Sequence, residues 1–327
     1  MLRVPAMGPE NGGQGELERS RFIEDLLRRC GFQDIRVFNA PDSRVASGVR
    51  PSVLARRRGK DGRMVWMVSH MDTVSPGDIK AWTYPPFDGT VVDGKLYGRG
   101  SEDNGQAVIS SIFACRSLLD TGLEPEVGFG VAVVADEEAG SDHGIKYLIK
   151  EGLFGTDDII YVPDAGAADG SVIEIAEKSI IWLKVVVKGR QVHASTPEKG
   201  INAVQIAAQA IAGMRLGRLD EESTANIGYI TGGMARNIVP ELCEVWGEAR
   251  SHSDAKLAAQ VTHMQRCFAD AVAAQSGATL EQEFQSSYHR FHLSQDAPVV
   301  RLAAAAAERL GLPVKYEIGG GGSDANV

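Results

Sequence analysis

The feature that most constrains the fold is an alternation of short apolar runs with helix-like segments in the first half of the chain. Val65–Val68 and Gly128–Ala135 are short, rich in valine and bounded by charged residues or glycine, as buried strands are. Ala107–Leu119 and Gly144–Glu151 repeat apolar residues every three or four positions, as amphipathic helices do. This alternation predicts a layered α/β domain with a mixed, mostly parallel sheet and helices on both faces.

The pattern changes near Lys178, where the order becomes strand, helix, strand, strand, helix, strand, the split βαβ arrangement of a small α+β domain. The predicted elements of the second half are the strands Ile180–Val187, Asn226–Gly232, Leu242–Ser251 and Glu281–Ser287, the helices Asn202–Leu216 and Asp254–Ala274, and then helix Ala297–Leu310 and strand Val314–Ile318. We therefore predict one α/β domain made of residues 1–177 and 291–327, interrupted by a smaller domain at 178–290.

Composition excludes several classes of partner. The 327 residues carry 34 Lys and Arg against 43 Asp and Glu, a net charge of −9, which removes the electrostatic reason to expect nucleic acid or an anionic membrane. No apolar run approaches the ~18 residues that span a bilayer, and the N-terminus lacks the apolar core of a secretory signal. Four widely spaced cysteines without a CxxC pair indicate reduced thiols. We expect a cytoplasmic protein.

The first candidate site follows the predicted strand Val65–Val68, and ligands in open α/β sheets bind outside the carboxyl ends of strands. His70 and Asp72 stand two residues apart, so in extended chain they share a face and Asp72 can accept a hydrogen bond from one ring nitrogen. The other nitrogen is then a neutral metal ligand. A purely structural His–Asp pair would give the same pattern, so this motif alone leaves both interpretations open.

Acidic residues follow at three further places in the chain. Asp103 lies in a glycine-rich turn that opens the helix at Ala107, and this turn lacks the GK[ST] ending of a phosphate-binding loop, which counts against a nucleotide-binding protein. Capping of the helix is the alternative role for Asp103.

Asp136, Glu137 and Glu138 end the strand Gly128–Ala135, and Asp164 follows Ile159–Val162. Adjacent carboxylates repel one another unless a cation or proton is present, although a solvated acidic loop is the simpler alternative. Taken together, four successive segments supply His, Asp, Glu and Asp, a set of oxygen and nitrogen ligands that suits Zn²⁺, Mn²⁺ or Co²⁺.

These motifs, in this order, resemble those of the M20 family of dinuclear metallopeptidases and amidohydrolases, and most closely its desuccinylase, deacetylase and small-peptidase members. The segments Val192–Pro197, Arg236–Pro240 and Gly247–Arg250 resemble the family's lid-domain signatures, and Gly319–Asn326 resembles its substrate loop. The resemblance runs from about Val65 to Asn326. It implies a zinc-exopeptidase-like catalytic domain interrupted by a lid that dimerises.

The resemblance also implies a role for each matching residue. His70 and Asp164 would bind one zinc ion, Asp103 would bridge two, and Glu138 would bind the second, with Co²⁺ or Mn²⁺ as alternatives. Glu137 would be the general base that takes a proton from water. The resemblance also implies catalytic roles for Asp72 and His193, and substrate binding by Asn237, Arg250, Gly321 and Ser323. Taken alone, His193 would be interpreted as a surface histidine and Arg250 as a solvated strand charge, and only the metal motifs favour the functional roles. The histidines without such support, expected at the surface, are His143, His252, His263, His289 and His292.

The resemblance predicts hydrolysis of the amide bond of an N-acyl amino acid or short peptide by a homodimer that joins through its lid. Two departures from the family pattern count against full two-metal activity. The final histidine ligand of the second metal would lie beyond Val327, and the N-terminal helix is expected to be abbreviated behind a lead that contains glycine and proline. The rival hypothesis is therefore a catalytically impaired remnant that binds at most one metal tightly and still dimerises.

Overall fold

The computed structural model of the protein describes residues 1–327. Its helices are α1 Leu17–Arg29, α2 Ala107–Asp120, α3 Ile145–Lys150, α4 Ala203–Ala212, α5 Asp254–Ala273 and α6 Pro298–Arg309. Its strands are β1 Asp34–Pro41, β2 Val49–Arg57, β3 Met64–His70, β4 Thr90–Val92, β5 Lys95–Tyr97, β6 Gly128–Val134, β7 Ile159–Tyr161, β8 Val172–Glu177, β9 Ser179–Lys188, β10 Val192–His193, β11 Gly217–Arg218, β12 Ser223–Gly232, β13 Ile238–Val239, β14 Leu242–Ser251, β15 Thr279–Tyr288, β16 Phe291–His292 and β17 Lys315–Ile318.

The first sheet has the order β1-β2-β6-β3-β7 and is mixed. On one side of the sheet, β2 is antiparallel to both β1 and β6. On the other side, β3 is parallel to both β6 and β7. Because β3, β6 and β7 run in the same direction, their carboxyl ends meet at one edge. The chain therefore places whatever follows these three strands close together.

Helices cover both faces of this sheet. One core joins α1 and α2 to the sheet, with Ile23, Ile112 and Val131 fully buried in it. The opposite core packs α3 against the other face, where Trp66 is fully buried beside Leu148. The mixed α/β class and the helices on both faces are confirmed.

The second sheet is antiparallel throughout, in the order β11-β12-β14-β9-β15. Helices α4 and α5 pack on one face of it around a core that includes Val185, Met264 and Phe268. The chain order β9-α4-β12-β14-α5-β15 is the predicted split βαβ pattern. The other face carries no helix, so Trp246 and Tyr229 remain substantially exposed.

The chain crosses between the two regions twice, and both crossings are short. Lys178 alone separates β8 from β9, and residues 289–290 alone separate β15 from β16. Strands β16, β8 and β17 form a third small sheet, so the crossings lie side by side. The side-chain amide of Asn326 donates hydrogen bonds to the carbonyl of Lys178 at 3.4 Å and to that of His289 at 2.8 Å. The domain division at 178 and 290 stays a prediction.

Every strand and helix proposed from the sequence is present, with ends shifted by a few residues. The N-terminal expectation needs correction, because α1 is a helix of 13 residues with Ile23 and Leu27 buried against the first sheet. The cysteines are free, as expected. None of the helices combines the length and apolar composition that a membrane span requires.

Candidate metal centre

The candidate site forms where the parallel strands of the first sheet end. His70 is the last residue of β3 and lies opposite Val134, the last residue of β6. Glu137 and Glu138 begin the short 3-10 turn that follows β6, and Asp164 comes shortly after β7. The sheet topology therefore brings together side chains that are up to 94 positions apart in the sequence, counted from His70 to Asp164.

The side chains converge on Nε2 of the buried His70. This nitrogen lies 2.9 Å from Oδ1 of Asp103, 3.5 Å from Oδ1 of Asp164 and 3.9 Å from Oε2 of Glu137. One ligand atom each from His70, Glu137 and Asp164 falls within a span of 4.8 Å. Asp103 reaches the group from the segment Ser101–Gln106, which leads into α2 and is kinked at Asp103 and Asn104, where the backbone angles are not helical. The peptide bond between these two residues is cis.

Asp72 is placed differently from the sequence-based expectation. The Nδ1 atom of His70 lies 3.1 Å from the backbone carbonyl oxygen of Asp72 and 3.5 Å from its carboxylate. The carboxylate instead accepts hydrogen bonds from the backbone N–H groups of Glu137 and Glu138, both at 3.1 Å. Asp72 thus orients the imidazole through its main chain and fixes the acidic turn through its side chain.

A network of buried charged side chains stabilises the turn that carries Glu137 and Glu138. Asp136 adopts a left-handed backbone conformation, φ 67°, which turns the chain between β6 and Glu137. Its carboxylate accepts hydrogen bonds from the backbone N–H and ring of His143, both at 2.8 Å, and pairs with the fully buried Arg50. His143 was expected at the surface, and this contact corrects that expectation. Arg50 also pairs with the buried Glu16.

The centre opens into a cleft of about 570 Å³ with strongly acidic walls. No lysine or arginine lines it, and its carboxylates belong to Glu102, Asp103, Glu137, Glu138, Asp164, Glu174, Glu177 and Glu317. The glycine-rich loop forms the facing wall. At Gly319 a Cβ atom would lie 1.2 Å from Oε1 of Glu174, so the close approach of this carboxylate requires glycine.

The carboxyl groups perturb one another strongly. Burial raises the pKa of Glu138 to about 7, and the nearby charge of Asp103 adds to that effect. Burial likewise raises the pKa of Glu137 well above its ordinary value. The pKa of His70 is raised, because hydrogen bonds to its carboxylate neighbours outweigh the lowering that burial causes.

This donor set fits a divalent cation. Carboxylate oxygens and one imidazole nitrogen, all directed into one small volume, are the ligands that zinc and other borderline or hard divalent ions take in proteins. A cation at this place would offset the repulsion between carboxylates that the structure otherwise concentrates here. Asp103 lies 2.9 Å from His70, and its charge also raises the pKa of Glu138.

Several residues at the centre carried no signal in the sequence. Asn104 donates a hydrogen bond to Oδ1 of Asp164 at 2.7 Å, and its place beside Asp103 is the only hint of that role. The hydroxyl of Tyr288 reaches Glu137, and Ser141 bonds both Tyr288 and Asp324. Nothing in the local pattern of Tyr288 and Ser141 distinguishes them from ordinary core residues, whereas Asp324 lies in the predicted substrate loop.

The remaining predicted site residues are catalytic His193 and the four substrate-binding residues, and they do not lie together. His193 and Asn237 stand together on the exposed β10–β13 ribbon, where the Ala194 N–H donates to the Asn237 carbonyl at 2.9 Å, and neither side chain bonds to the cluster of its own chain. Arg250, on β14, pairs with Glu248 at 2.7 Å.

The two loop residues of the substrate group do line the cleft. Gly321 belongs to its glycine-rich wall, and the Gly321 carbonyl accepts a hydrogen bond from the Lys178 N–H at 3.2 Å. Ser323 is buried, and its hydroxyl donates to Glu177 at 2.8 Å, so this side chain is committed to the wall itself.

Comparison with known proteins places this geometry in a family. Residues 66–327 match the family model described as peptidase family M20/M25/M40. A protein of Methanocaldococcus jannaschii named as an uncharacterized metallohydrolase is 35% identical over 214 residues. That match takes in 63% of this chain and 52% of the relative, so the chain spans about half the length of that protein.

Two solved structures are similar over almost the whole chain. A tripeptidase from Staphylococcus aureus has a TM-score of 0.77 at 27% identity, and aminopeptidase PepT from Bacillus cereus has a TM-score of 0.70 at 32% identity. Each match covers 99% of this chain and 83% of the other chain. The prediction of an M20-type metallo-hydrolase is thus confirmed at the level of the family. The chain belongs to the M20/M25/M40 peptidase family.

Proposed function

We propose that this protein is a metal-dependent hydrolase that cleaves the amide bond of a short peptide or an N-acyl amino acid. One observation carries the proposal: the ligand atoms of His70, Glu137 and Asp164 lie within 4.8 Å of one another at the carboxyl edge of the parallel strands. A purely structural role would not require so many carboxylates around one imidazole, because their mutual repulsion opposes folding.

In this proposal His70, Asp103 and Asp164 hold one divalent ion, and Asp103 and Glu138 hold a second. Zinc is the first choice for the ion, with Co²⁺ or Mn²⁺ as alternatives. A bound divalent ion supplies Lewis acidity toward an amide carbonyl and lowers the pKa of water. Asp72 keeps the imidazole and the acidic turn in place, since it bonds to both.

Glu137 acts as the general base. Its carboxylate lies 3.9 Å from Nε2 of His70, so it faces the same small volume as the proposed ligands. There it would take a proton from the attacking water and return it to the departing amine, a transfer that contributes about 10²–10⁴-fold in enzymes. Burial of Glu137 raises its affinity for that proton.

The acidic cleft favours a substrate with a free amino group. Glu174, Glu177 and Glu317 line its walls beyond the proposed ligands, and no cationic side chain offsets them. A succinyl carboxylate would meet repulsion there, whereas an ammonium group would be attracted. The names of the two similar structures, a tripeptidase and an aminopeptidase, support peptides over acyl amino acids.

A homodimer through the second sheet completes the proposal. Strand β12 pairs with β14 on one side, but β11 covers only its first residues, which leaves the edge at Asn226–Gly232 open with Tyr229 and Ile230 exposed. An open apolar edge is the ordinary place for a second copy to add. His193 and Asn237 would then serve the partner's cleft, and Arg250 a substrate carboxylate. Free cysteines and an acidic composition support a cytoplasmic location.

The test is hydrolysis of a panel of tripeptides, their N-acetylated forms and N-succinyl amino acids, with Zn²⁺, Mn²⁺ or Co²⁺ added. We expect turnover of the free tripeptides, loss of turnover with a chelator, and recovery when metal is restored. An impaired remnant would bind metal but turn over nothing on the panel. A chain that neither binds metal nor hydrolyses any substrate would contradict the proposal.

A further inference from the structure

Tyr288 connects the second sheet to the proposed base. It is the last residue of β15, yet its hydroxyl lies 2.8 Å from the backbone oxygen of Glu137 and 3.1 Å from Oε1 of the same residue. The side chain is buried, with 4% of its surface exposed. Tyr288, from the second sheet, therefore contacts Glu137, the proposed base at the end of the first sheet.

The available protons determine the direction of these bonds. Ser141 has one hydroxyl proton, and its Oγ lies 2.6 Å from Oδ1 of the buried Asp324, which accepts that proton in a hydrogen bond. Ser141 therefore does not donate to Tyr288, whose oxygen is 2.9 Å away, and is only one of the acceptors around the phenol. The phenol proton is left for the acceptors around it, and two of these belong to Glu137.

The phenol is suited to remain a donor. Burial is the largest cause that raises the pKa of Tyr288, and the nearby charge of Glu137 adds to it. The Tyr288 hydroxyl consequently keeps its proton across the working pH range. This single O–H lies between the backbone oxygen and Oε1 of Glu137, which restricts the rotamers of the carboxylate and keeps its other oxygen directed at the proposed ligands.

We propose that Tyr288 is a positioning residue that holds the Glu137 carboxyl in the orientation needed to take a proton from water. Ser141, which donates its own proton to Asp324, is the third acceptor beside the phenol oxygen. The proposal rests on the proposed function, because it acts through Glu137 as the base. Tyr288 itself does not line the open cleft.

The test removes the phenol oxygen and keeps the ring. For Tyr288→Phe we expect kcat to fall about tenfold to hundredfold, the range of a lost hydrogen bond to a charged group, with KM changed less than about twofold. Zinc content and Tm should match those of Tyr161→Phe. That control loses a comparable bond, from the Tyr161 hydroxyl to the Val299 carbonyl at 3.1 Å, and should keep kcat within about twofold of wild type.

A double-mutant cycle separates positioning from a general structural role. If Tyr288 acts through Glu137, adding Tyr288→Phe to Glu137→Gln should lower kcat no further, because the base is already absent. An equal fall in both backgrounds, or an unchanged kcat in Tyr288→Phe alone, would overturn the proposal.

A second variant, Ser141→Ala, keeps the proposal testable if Tyr288→Phe does not fold. Ser141→Ala leaves the donor of Tyr288 in place and should lower kcat less than Tyr288→Phe does, at unchanged KM. A larger effect of Ser141→Ala would assign the role to Asp324 instead. Full activity of Glu137→Gln would overturn the choice of base, and with it the role of Tyr288. Failure at Tyr288 alone leaves the hydrolase proposal standing.

Discussion

The carboxylate of Asp72 accepts a hydrogen bond from the backbone N–H of Glu137 at 3.1 Å. Its second oxygen accepts from the N–H of Glu138 at the same distance. One side chain thus sets the position of both acidic residues of the turn, while its own backbone carbonyl orients His70. The acidic turn and the histidine are held as one unit although 67 positions separate His70 from Glu137.

Asp72→Asn should disrupt this unit. The amide offers one acceptor where the turn presents two N–H donors, so its NH₂ group would face a backbone N–H. We expect metal affinity or kcat/KM to fall about 10- to 100-fold, the usual effect of losing a partner of a ligand. Calorimetric zinc titration and steady-state kinetics would measure it. Asp78→Asn, at an exposed helix start where Oδ1 accepts from the Lys80 N–H, is the control and should change neither.

Glu137→Gln keeps the volume of the side chain and removes the proton acceptor. Turnover should fall by about 10²–10⁴-fold, with metal content nearly unchanged. Glu102→Gln, in the same cleft, should retain most activity. A Glu137→Gln protein that loses its metal would show that Glu137 is a ligand, and one that keeps its turnover would remove the base assignment.

His70→Ala should release metal from the first position. The buried imidazole is the only nitrogen donor within the cluster, and its loss leaves several carboxylates without a partner. We expect metal content to fall and the dependence of Tm on added zinc to disappear, because a ligand stabilises only the state that binds it. His289→Ala, an exposed histidine, is the control. Unchanged metal content in His70→Ala would mean that the histidine is structural.

The two metal positions should differ in affinity within these 327 residues. The first has His70, Asp103 and Asp164, three protein ligands with room for water, as catalytic zinc sites have. The second has the carboxylates of Glu138 and Asp103, a set more typical of weak Mg²⁺ or Mn²⁺ binding. Calorimetric titration should show one tight zinc event and one much weaker event. Two equally tight events would require another ligand at the second position.

Arg50 should contribute to stability more than any exposed arginine. It is fully buried between Glu16 and Asp136, so Arg50→Ala would leave two carboxylates unpaired in the interior. We expect the free energy of unfolding to fall by roughly 3–5 kcal/mol in urea denaturation. Arg21→Ala, which breaks an exposed pair with Glu18, should cost about 0–1 kcal/mol. Equal effects of the two variants would contradict the reading of this network.

Much of the fold was predictable because its strands and helices follow simple periodic patterns. The runs at β3 and β6 are apolar on both faces, and the second half alternates regularly, so pattern alone found these elements. Strand β2 was missed because it carries Arg50, Pro51 and Arg56 among its residues. Their burial depends on distant carboxylates such as Glu16, which no local pattern shows.

The residues of the candidate site also fall into those that could be predicted from the sequence and those that could not. His70, Asp103, Glu138 and Asp164 could be proposed because each follows a strand or opens a helix, where sheet topology brings ligands together. Tyr288 and Asp324 could not be proposed, since they reach Glu137 and Ser141 through side chains from other parts of the fold. The N–H donors that bind the Asp72 carboxylate could not be predicted, because they lie on the backbone of a neighbouring turn.

The paired crossings at Lys178 and at residues 289–290, linked by Asn326, would be the axis of any rigid rotation of the second sheet. Any rigid rotation of the second sheet about that line displaces an atom in proportion to its lever arm. Tyr288 lies next to this axis, so such a rotation would move it little and would leave its hydrogen-bond contact with Glu137 in place. Strands β9 and β14 extend away from the axis for 10 residues each, about 30 Å, to the ribbon that carries His193 and Asn237. A rotation of a few degrees at the crossings would therefore displace that ribbon by some ångströms, while the contact between Tyr288 and Glu137 would stay unchanged.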